Sequence, residues 1–283
     1  MRSMRMGSFA LWGGLLAVLL RPGPVRAGDA YPRAWESRGA GGGGALFSPR
    51  YNPHQPGQLF VSCDMSELFR GRDDGAAWEL VDFRQIQGNR ECAVQFTSLS
   101  NVMYALDYSA VAGADLRRPS RSMDGGVTWQ PLAGDPTAGE AYGVWADPAA
   151  TNRLLTADYR TLYVSTNGGA SFAPVYTTVD PNGLRVAGAH FAGSWVLVGT
   201  SRGLLQSTNG GATFALSGAT GIPAGQEIVS LAGATEGSLT RVYAVVVAPG
   251  ALYPGMLVED VYGGPDYRGL YRLDAGAAAW VVC

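Results

Sequence analysis

Short apolar segments separated by polar turns follow one another along the chain from about residue 45. TLYVS before Asn167, GLLQS before Asn209 and VYAVVVA at residues 242–248 are examples, and each has Gly, Asp, Asn or Pro within a few residues of its ends. Runs of four to eight residues of this composition, closed by turn residues, are typical of β-strands. The 40 glycines and the 16% of charged residues also favour tight turns over long helices. The pattern predicts an all-β fold.

Four turn segments repeat between these strands and read RDDGAAW, SMDGGVTW, STNGGASF and STNGGATF. Their final aromatic residues are 51, 43 and 42 residues apart, which is the length of one four-stranded propeller blade. An Asp or Asn at the turn accepts hydrogen bonds from backbone N–H groups that follow it, and Gly tolerates the positive φ of a tight hairpin. We expect the aromatic ring to pack between sheets. The structural turn residues predicted in this way are Asp74, Trp78, Asp124, Trp129, Asn167, Phe172, Asn209 and Phe214.

The repeats predict a β-propeller of four-stranded antiparallel blades, with about five blades. Blade 1 is expected at about Ala45–Phe83, blade 2 at Cys92–Leu132, blade 3 at Ala141–Val175 and blade 4 at Arg185–Leu216. A fifth, degenerate blade begins near Glu227 and carries an insertion, PGALYPGMLVEDVYGGPDYR. A strand around Trp35 and the final strand Ala279–Cys283 compete for the role of closing the ring. Two interpretations therefore stay open: a five-bladed protein, or a propeller shortened at its C-terminus.

The N-terminus has the features of an export signal. Arg2 and Arg5 precede the apolar run FALWGGLLAVLL, and Val25 and Ala27 occupy the small-residue positions of a cleavage site. The run is about half of the ~20 residues needed to span a bilayer, so a signal peptide is favoured over an anchor. We expect a signal peptide at residues 1–27, a propeller domain at 28–283, secretion or a periplasmic location, and no membrane attachment after cleavage.

Net charge and cysteine content limit the partners, disulfides and cofactors that can be expected. The net charge of −2 argues against a nucleic-acid partner. An exported chain with Cys63, Cys92 and Cys283 can form one disulfide, for which Cys63–Cys92 is the candidate, and three separate thiols are the equal alternative. No Cys or His cluster has metal-ligand spacing and no cofactor motif is present, so neither a metal nor a cofactor is expected.

The four turn segments resemble Asp-box (BNR) repeats, which occur in sialidases, sortilin-like receptors, photosystem assembly factors and glycoside hydrolase family 74. The segment from Gly41 to Arg70 is most similar to the opening of family 74, whose members cleave xyloglucan and related β-glucans with inversion. In that family an Asp-x-Gly-Gly-x-Tyr-Arg motif supplies the general base. The resemblance places Asp64 on the catalytic Asp, Phe69 on the Tyr and Arg70 on the Arg. Ser66 and Glu67 replace the two glycines, and the second propeller that brings the family's general acid is absent from these 283 residues.

Two classes of function remain. One is a xyloglucanase-like glycoside hydrolase with Asp64 as base, and the other is a non-catalytic propeller that binds a glycan or a protein outside the cytoplasm. Acidic and aromatic residues recur at corresponding strand ends, where rings would stack on a sugar and carboxylates would hold hydroxyl groups. The candidate substrate-binding residues are Arg70, Tyr104, Asp107, Asp158 and Tyr159. The alternative interpretation is that Asp64 and these residues are structural. A sialidase is not favoured, because its N-terminal Arg-Ile-Pro signature is missing.

Overall fold

The computed structural model describes residues 44–111, 114–248, 252–253, 256–257 and 266–283. The predicted signal peptide, the strand around Trp35 and most of the predicted insertion lie outside these ranges. The described residues form strands and turns without any α-helix, and one 3₁₀ turn spans Asp73–Gly75. In this part of the chain, no helix has the length and apolar character that crossing a membrane requires.

Twenty strands form five four-stranded antiparallel sheets. Blade 1 contains β1 (Leu46–Tyr51), β2 (Leu59–Cys63), β3 (Leu68–Arg72) and β4 (Ala77–Leu80). Blade 2 contains β5 (Gln95–Phe96), β6 (Met103–Val111), β7 (Ala114–Ser122) and β8 (Gln130–Pro131). Blade 3 contains β9 (Gly143–Ala146), β10 (Leu154–Ala157), β11 (Thr161–Ser165) and β12 (Ala173–Thr177). Blade 4 contains β13 (Val186–Ala192), β14 (Trp195–Thr200), β15 (Gly203–Ser207) and β16 (Ala215–Leu216).

Blade 5 contains β17 (Glu227–Glu236), β18 (Leu239–Val247), β21 (Tyr267–Asp274) and β22 (Val281–Val282). Between its second and third strands, β19 (Leu252–Tyr253) pairs with β20 (Met256–Leu257) in a small separate ribbon. The five sheets are arranged as a five-bladed β-propeller, which confirms the predicted fold class. The blades also lie close to the predicted bounds; β12, for example, ends at Thr177, two residues beyond the predicted end of blade 3.

The core lies between blades. Each of four hydrophobic clusters in the described part of the chain joins two consecutive blades, from the pair 1 and 2 to the pair 4 and 5. Successive side chains of a strand point to opposite faces, so neighbouring residues serve different clusters. Leu154 packs between blades 2 and 3, whereas Leu155 packs between blades 3 and 4. The second strands of these blades, such as β10 and β14, are therefore apolar on both faces. This explains continuous apolar runs such as WVLVG in β14.

The turn between β7 and β8 shows how the repeated segment closes a hairpin. The Asp124 carboxylate accepts hydrogen bonds from the backbone N–H groups of Val127 (3.1 Å) and Thr128 (2.9 Å). Its other oxygen accepts the Thr128 hydroxyl at 2.6 Å. The Ser122 hydroxyl accepts the Gly126 N–H at 2.8 Å. These bonds satisfy turn donors that the β-ladder leaves unpaired.

The other three turns vary this arrangement. In blades 3 and 4 the amide oxygens of Asn167 and Asn209 accept N–H groups from Ser171 and Thr213, at 3.0 and 3.1 Å. Blade 1 differs, because Asp74 lies in the 3₁₀ turn with φ +56° and its carboxylate accepts no hydrogen bond from a described residue.

The aromatic residues of the turns pack against the sheets. Trp129 is buried between blades 1 and 2, and its indole N–H donates to the Gly126 carbonyl at 3.2 Å. Phe172 packs on the cluster between blades 2 and 3, and Phe214 on the cluster between blades 3 and 4. In blade 1 the Trp78 ring meets Phe69 edge-on, 6.5 Å between centroids.

The candidate disulfide between Cys63 and Cys92 is not formed. Cys92 is a buried thiol inside the cluster between blades 1 and 2, and burial raises its pKa to about 12. Cys63 ends β2 and contributes its sulfur to the turn at Met65, whose N–H lies 3.5 Å away. The first strand of blade 2 begins only at Gln95, so Cys92 belongs to the loop before that blade and is not paired strand to strand with Cys63.

Candidate functional site

A cavity of about 240 Å³ lies where the first strands of all five blades converge. We call it the axial cavity. Each first strand contributes to its wall: Arg50 in β1, Gln95 in β5, Trp145 in β9, Ala187 in β13 and Val229 in β17. Each of these strands lies at the edge of its sheet, so one side of its backbone is not used in the blade's own ladder. Residues from five repeats thus meet at one place.

Three arginines and one glutamate are the charged residues of this wall. Arg50 is exposed, and Arg90 stacks over the Phe47 ring at 5.7 Å. Arg185 is only 6% exposed; one terminal nitrogen donates to the Asn182 carbonyl at 3.0 Å and the other reaches Glu227 at 3.4 Å. Its Nε is buried and has no hydrogen-bond partner among the described residues. The wall therefore contains three guanidinium groups, of which that of Arg185 is already paired with Glu227.

The single acid of the wall, Glu91, lies beside Arg90 in the loop before blade 2. Burial raises the pKa of the Glu91 carboxyl above its usual range, although the nearby charges of Arg90 and Arg117 act in the opposite direction. Desolvation penalises the ionised form more than these guanidinium groups favour it. Glu91 is accordingly protonated at a higher pH than an ordinary glutamate.

Two aromatic rings complete the wall, Tyr142 and Trp145 from blade 3. Burial raises the pKa of Tyr142 to about 12, so this residue offers a neutral hydroxyl at physiological pH. Behind it the Tyr159 ring makes an edge contact with Tyr142 at 5.3 Å. Arg117 stacks on Tyr159 at 5.2 Å and donates to its hydroxyl at 2.6 Å. These contacts fix the aromatic side of the axial cavity.

Asp64 lies at the end of β2 and outside the wall of the axial cavity. The residue is exposed, and one carboxylate oxygen accepts the Ala45 N–H at 2.8 Å. Arg70 forms an ion pair with Glu79 across β3 and β4, so its guanidinium is already engaged. Phe69, the third residue of the resemblance, packs on Trp78. The three matched residues therefore do not converge on one ligand position.

The remaining predicted residues are mostly engaged inside the protein. Tyr104 is buried and its hydroxyl donates to the Thr151 carbonyl at 2.7 Å. Asp107 is buried and accepts from the Gln87 N–H at 2.9 Å and from Arg118 at 2.8 Å. Asp158 closes a turn by accepting N–H groups from Arg160 and Thr161, both at 2.7 Å. Of this set, Tyr159 is the residue that adjoins the axial cavity, through Tyr142.

The wall residues of the axial cavity were not among the sequence predictions. Arg50, Glu91, Arg90 and Arg185 belong to no recognisable motif. A signal was present, since they lie in or just before the first strands of different blades. In the described ranges, no three His, Cys, Asp or Glu side chains group so that they would hold a metal ion.

No protein-family profile matches this chain, and no curated protein is detectably similar to it in sequence. Solved structures do resemble it in fold. A glycoside hydrolase family 74 enzyme of Niastella koreensis superimposes with a TM-score of 0.59 at 17% identity, over 86% of this chain and 37% of the enzyme. An ancestral family 74 enzyme gives a TM-score of 0.62 at 18% identity, over 88% and 32%. The chain thus spans about a third of the length of these two enzymes.

A smaller propeller also resembles the chain. YCF48 bound to a D1 peptide superimposes with a TM-score of 0.52 at 13% identity, over 84% of this chain and 66% of that protein. At these identities the similarity concerns the fold alone. The chain has a propeller fold like that of family 74 enzymes.

Proposed function

We propose that this chain is a glycan-binding β-propeller and that its axial cavity holds a sugar residue. The convergence of five first strands on one cavity, with aromatic rings and fixed polar groups in the same wall, is the observation that carries this proposal. Concave sites that combine rings with a few placed polar groups are the usual form of a small-ligand site. The site residues predicted from the sequence form no comparable cluster among the described residues.

Each part of the wall suits a sugar. Tyr142 and Trp145 supply aromatic surface on which the C–H face of a pyranose would pack. Guanidinium groups and the free edges of the first strands supply the hydrogen bonds that its hydroxyl groups need. At about 240 Å³ the axial cavity is smaller than the roughly 300–1,000 Å³ of drug-sized sites. We therefore propose that it takes one terminal sugar residue, with the rest of the glycan outside.

The proposal includes export, on the strength of the N-terminal sequence. A basic start, an apolar run and small residues before Gly28 together support cleavage and secretion or a periplasmic location. N-terminal sequencing of protein recovered from the medium or periplasm tests this, and a mature protein that begins at Met1 would contradict it.

Glycan binding is tested with the mature chain, residues 28–283, on a glycan array followed by calorimetry on the hits. We expect Trp145→Ala to weaken binding of a hit at least ten-fold, because the substitution removes a ring from the wall. Trp78→Ala is the matched control, since Trp78 is also half-buried but lies on blade 1 away from the axial cavity. Equal losses in both variants, or binding of peptides without any glycan, would contradict the proposal.

Hydrolysis at Asp64 is the second candidate function. Its support is that Asp64 is exposed at the position that matches the general base of family 74. Reducing-sugar release from xyloglucan and mixed β-glucans is the assay. If this function holds, Asp64→Asn removes most of the activity and leaves thermal unfolding unchanged, because Asn is nearly isosteric but cannot accept the proton from water. An Asp64→Asn variant as active as wild type would make Asp64 structural.

A further inference from the structure

We propose that two copies of this chain form a two-fold symmetric dimer through the face of blade 5 that points away from blade 4. The inference concerns assembly and is independent of what the axial cavity binds. It comes from the exposure of this face, and from the order in which charged, aromatic and aliphatic residues follow one another across it.

One face of blade 5 packs against blade 4. Alternate residues of its strands, among them Val242, Ala244 and Tyr271, are buried in the cluster that the two blades share. In the described part of the chain, none of the hydrophobic clusters joins blade 5 to blade 1. The residues between these buried positions point to the opposite face of the sheet. They therefore lack the cover that a following blade gives to blades 1 to 4.

These uncovered side chains of β17, β18, β21 and β22 form a continuous surface, which we call the open face. Its larger apolar side chains are well exposed: Tyr243 is 40%, Leu270 43% and Val281 48% exposed. Ala232 and Ala234 of β17 are exposed on the same face. Exposed apolar side chains that adjoin one another across four strands mark a surface for protein interaction.

The register of β18 and β21 orders the open face into three cross-strand pairs. Along the strands the pairs are ionic, aromatic with basic, and aliphatic in turn: Arg241 with Asp274, Tyr243 with Arg272, and Val245 with Leu270. Arg241 and Asp274 also form an ion pair within the chain, and both are partly exposed. Every pair thus joins a residue to one of complementary chemistry.

A two-fold axis that runs parallel to the strands, midway between β18 and β21, makes the open face complementary to itself. Rotation about this axis lays β18 of one copy over β21 of the other and keeps every residue at its level along the strand. Each residue then faces, in the second copy, the residue with which it pairs in its own sheet. The contacts include an ion pair, a guanidinium beside the Tyr243 ring and an aliphatic contact. The flanking strands follow the same rule, since Ala232 of β17 meets Val281 of β22 in the second copy.

A second copy is therefore the occupant that fits the open face. Although Arg241 and Arg272 both lie on this face, no cation meets a cation about the proposed axis. An interface of this kind uses the same patch on both copies, as two-fold dimers do. Two sheets that pack face to face lie about 10 Å apart, which leaves room for tyrosine and arginine side chains. The contact is one blade wide, so we expect a small interface and reversible association.

Sedimentation velocity of residues 28–283, from about 1 μM to about 300 μM, tests for the reversible dimer. We expect a monomer at the low end of this range and a dimer at the high end. Leu270→Glu should abolish the dimer, because it places a charge against Val245 of the second copy. Leu216→Glu is the matched control, since Leu216 is a strand leucine of blade 4 with a similar exposure of 47%. A monomer at every concentration, or equal loss of the dimer in both variants, would overturn the proposal.

A charge exchange tests the axis itself. Arg241→Asp makes both members of the ionic pair acidic and Asp274→Arg makes both basic, so neither variant should form a dimer alone. When the two are mixed, a heterodimer should form, because each copy then meets opposite charges at positions 241 and 274 of the other. Each variant loses only an exposed ion pair, which stabilises the fold little, and circular dichroism checks that both are folded. Dimers of either variant alone, or a mixture that stays monomeric, would overturn the two-fold arrangement.

Discussion

At the scale of single residues, a short polar side chain decides whether a hairpin turn is closed. Asp124 accepts hydrogen bonds from two backbone N–H groups and two hydroxyls. Asn167 and Asn209 each accept one backbone N–H with the amide oxygen, and their amide nitrogens donate to the hydroxyls of Ser171 and Thr213. Burial acts to raise the pKa of Asp124, but hydrogen bonds from Thr128, Ser122 and Val127 outweigh it and lower the pKa. The turn needs an acceptor oxygen at this position, and the negative charge is a smaller addition.

Substituting Asp124 tests this point. Asp124→Ala should lower the free energy of unfolding by about 1 kcal/mol, because two turn N–H groups lose their acceptor at an exposed site. Asp124→Asn should cost less, since Asn serves in blades 3 and 4. A lowered native pKa gives stability above the unfolded pKa that is lost as the pH falls through the native value. The free energies of unfolding of wild type and Asp124→Asn should therefore approach each other at acid pH. Urea unfolding at several pH values measures this. Equal stability of wild type and Asp124→Ala at pH 7 would contradict the turn-closing role.

At the scale of elements, the sheets pack so closely that some turns have no room for a side chain. Gly126 has φ +86°, and a Cβ there would lie 2.6 Å from the Phe60 ring of blade 1. Two separate constraints, backbone conformation and contact between blades, therefore act on one glycine. Gly193, in the turn between β13 and β14, has φ +64° but nothing within 4 Å of the corresponding Cβ.

Alanine at these two glycines separates the constraints. Gly193→Ala should cost about 1–2 kcal/mol, from the left-handed backbone alone. Gly126→Ala should cost a further 1–3 kcal/mol or so, because Phe60 must move out of a packed cluster. Chemical denaturation of both variants gives the comparison. If Gly126→Ala were as stable as Gly193→Ala, the Phe60 ring would be able to move without measurable cost, which would contradict tight packing at this contact.

At the scale of the whole molecule, stability comes from a series of interfaces between blades. Four clusters join the blades in order along the described chain, and Arg185 and Glu227 add a buried ion pair between blades 4 and 5. Each blade is thus stable only against its neighbours, as in other repeat architectures. Cys92, buried between blades 1 and 2, is a natural reporter of one interface.

Thiol labelling follows this interface without any mutation. Only the thiolate reacts, so a buried Cys92 with a pKa of about 12 should be labelled solely through opening of the structure. Cys283 is exposed and should react at once, which provides the internal control. Peptide mass spectrometry after timed labelling at pH 8, with and without urea, measures both rates. Labelling of Cys92 as fast as Cys283 in the native protein would contradict tight packing of blades 1 and 2.

The sequence alone determined the strands, the turns and the order of the blades. Apolar runs closed by Asp-Gly or Asn-Gly turns depend on local chemistry, and their spacing gives the blade length. This is why the predicted bounds of blades 1 to 5 agree with the sheets to within a few residues. The turn residues from Asp124 to Phe214 were recognisable for the same reason, because the Asp and Asn side chains bond to groups only a few positions away.

Tertiary structure decided which of the candidate residues meet. Tyr104 and Asp107 have the chemistry of a sugar site, yet packing of blade 2 buries them with partners inside the protein. Arg50, Arg90 and Arg185 carry no local signal, and closure of the blades around one axis brings them to a single cavity. Burial and convergence depend on contacts between residues far apart in sequence, which local periodicity does not encode. The local sequence pattern therefore determines each blade, whereas the arrangement of the five blades around one axis determines the axial cavity.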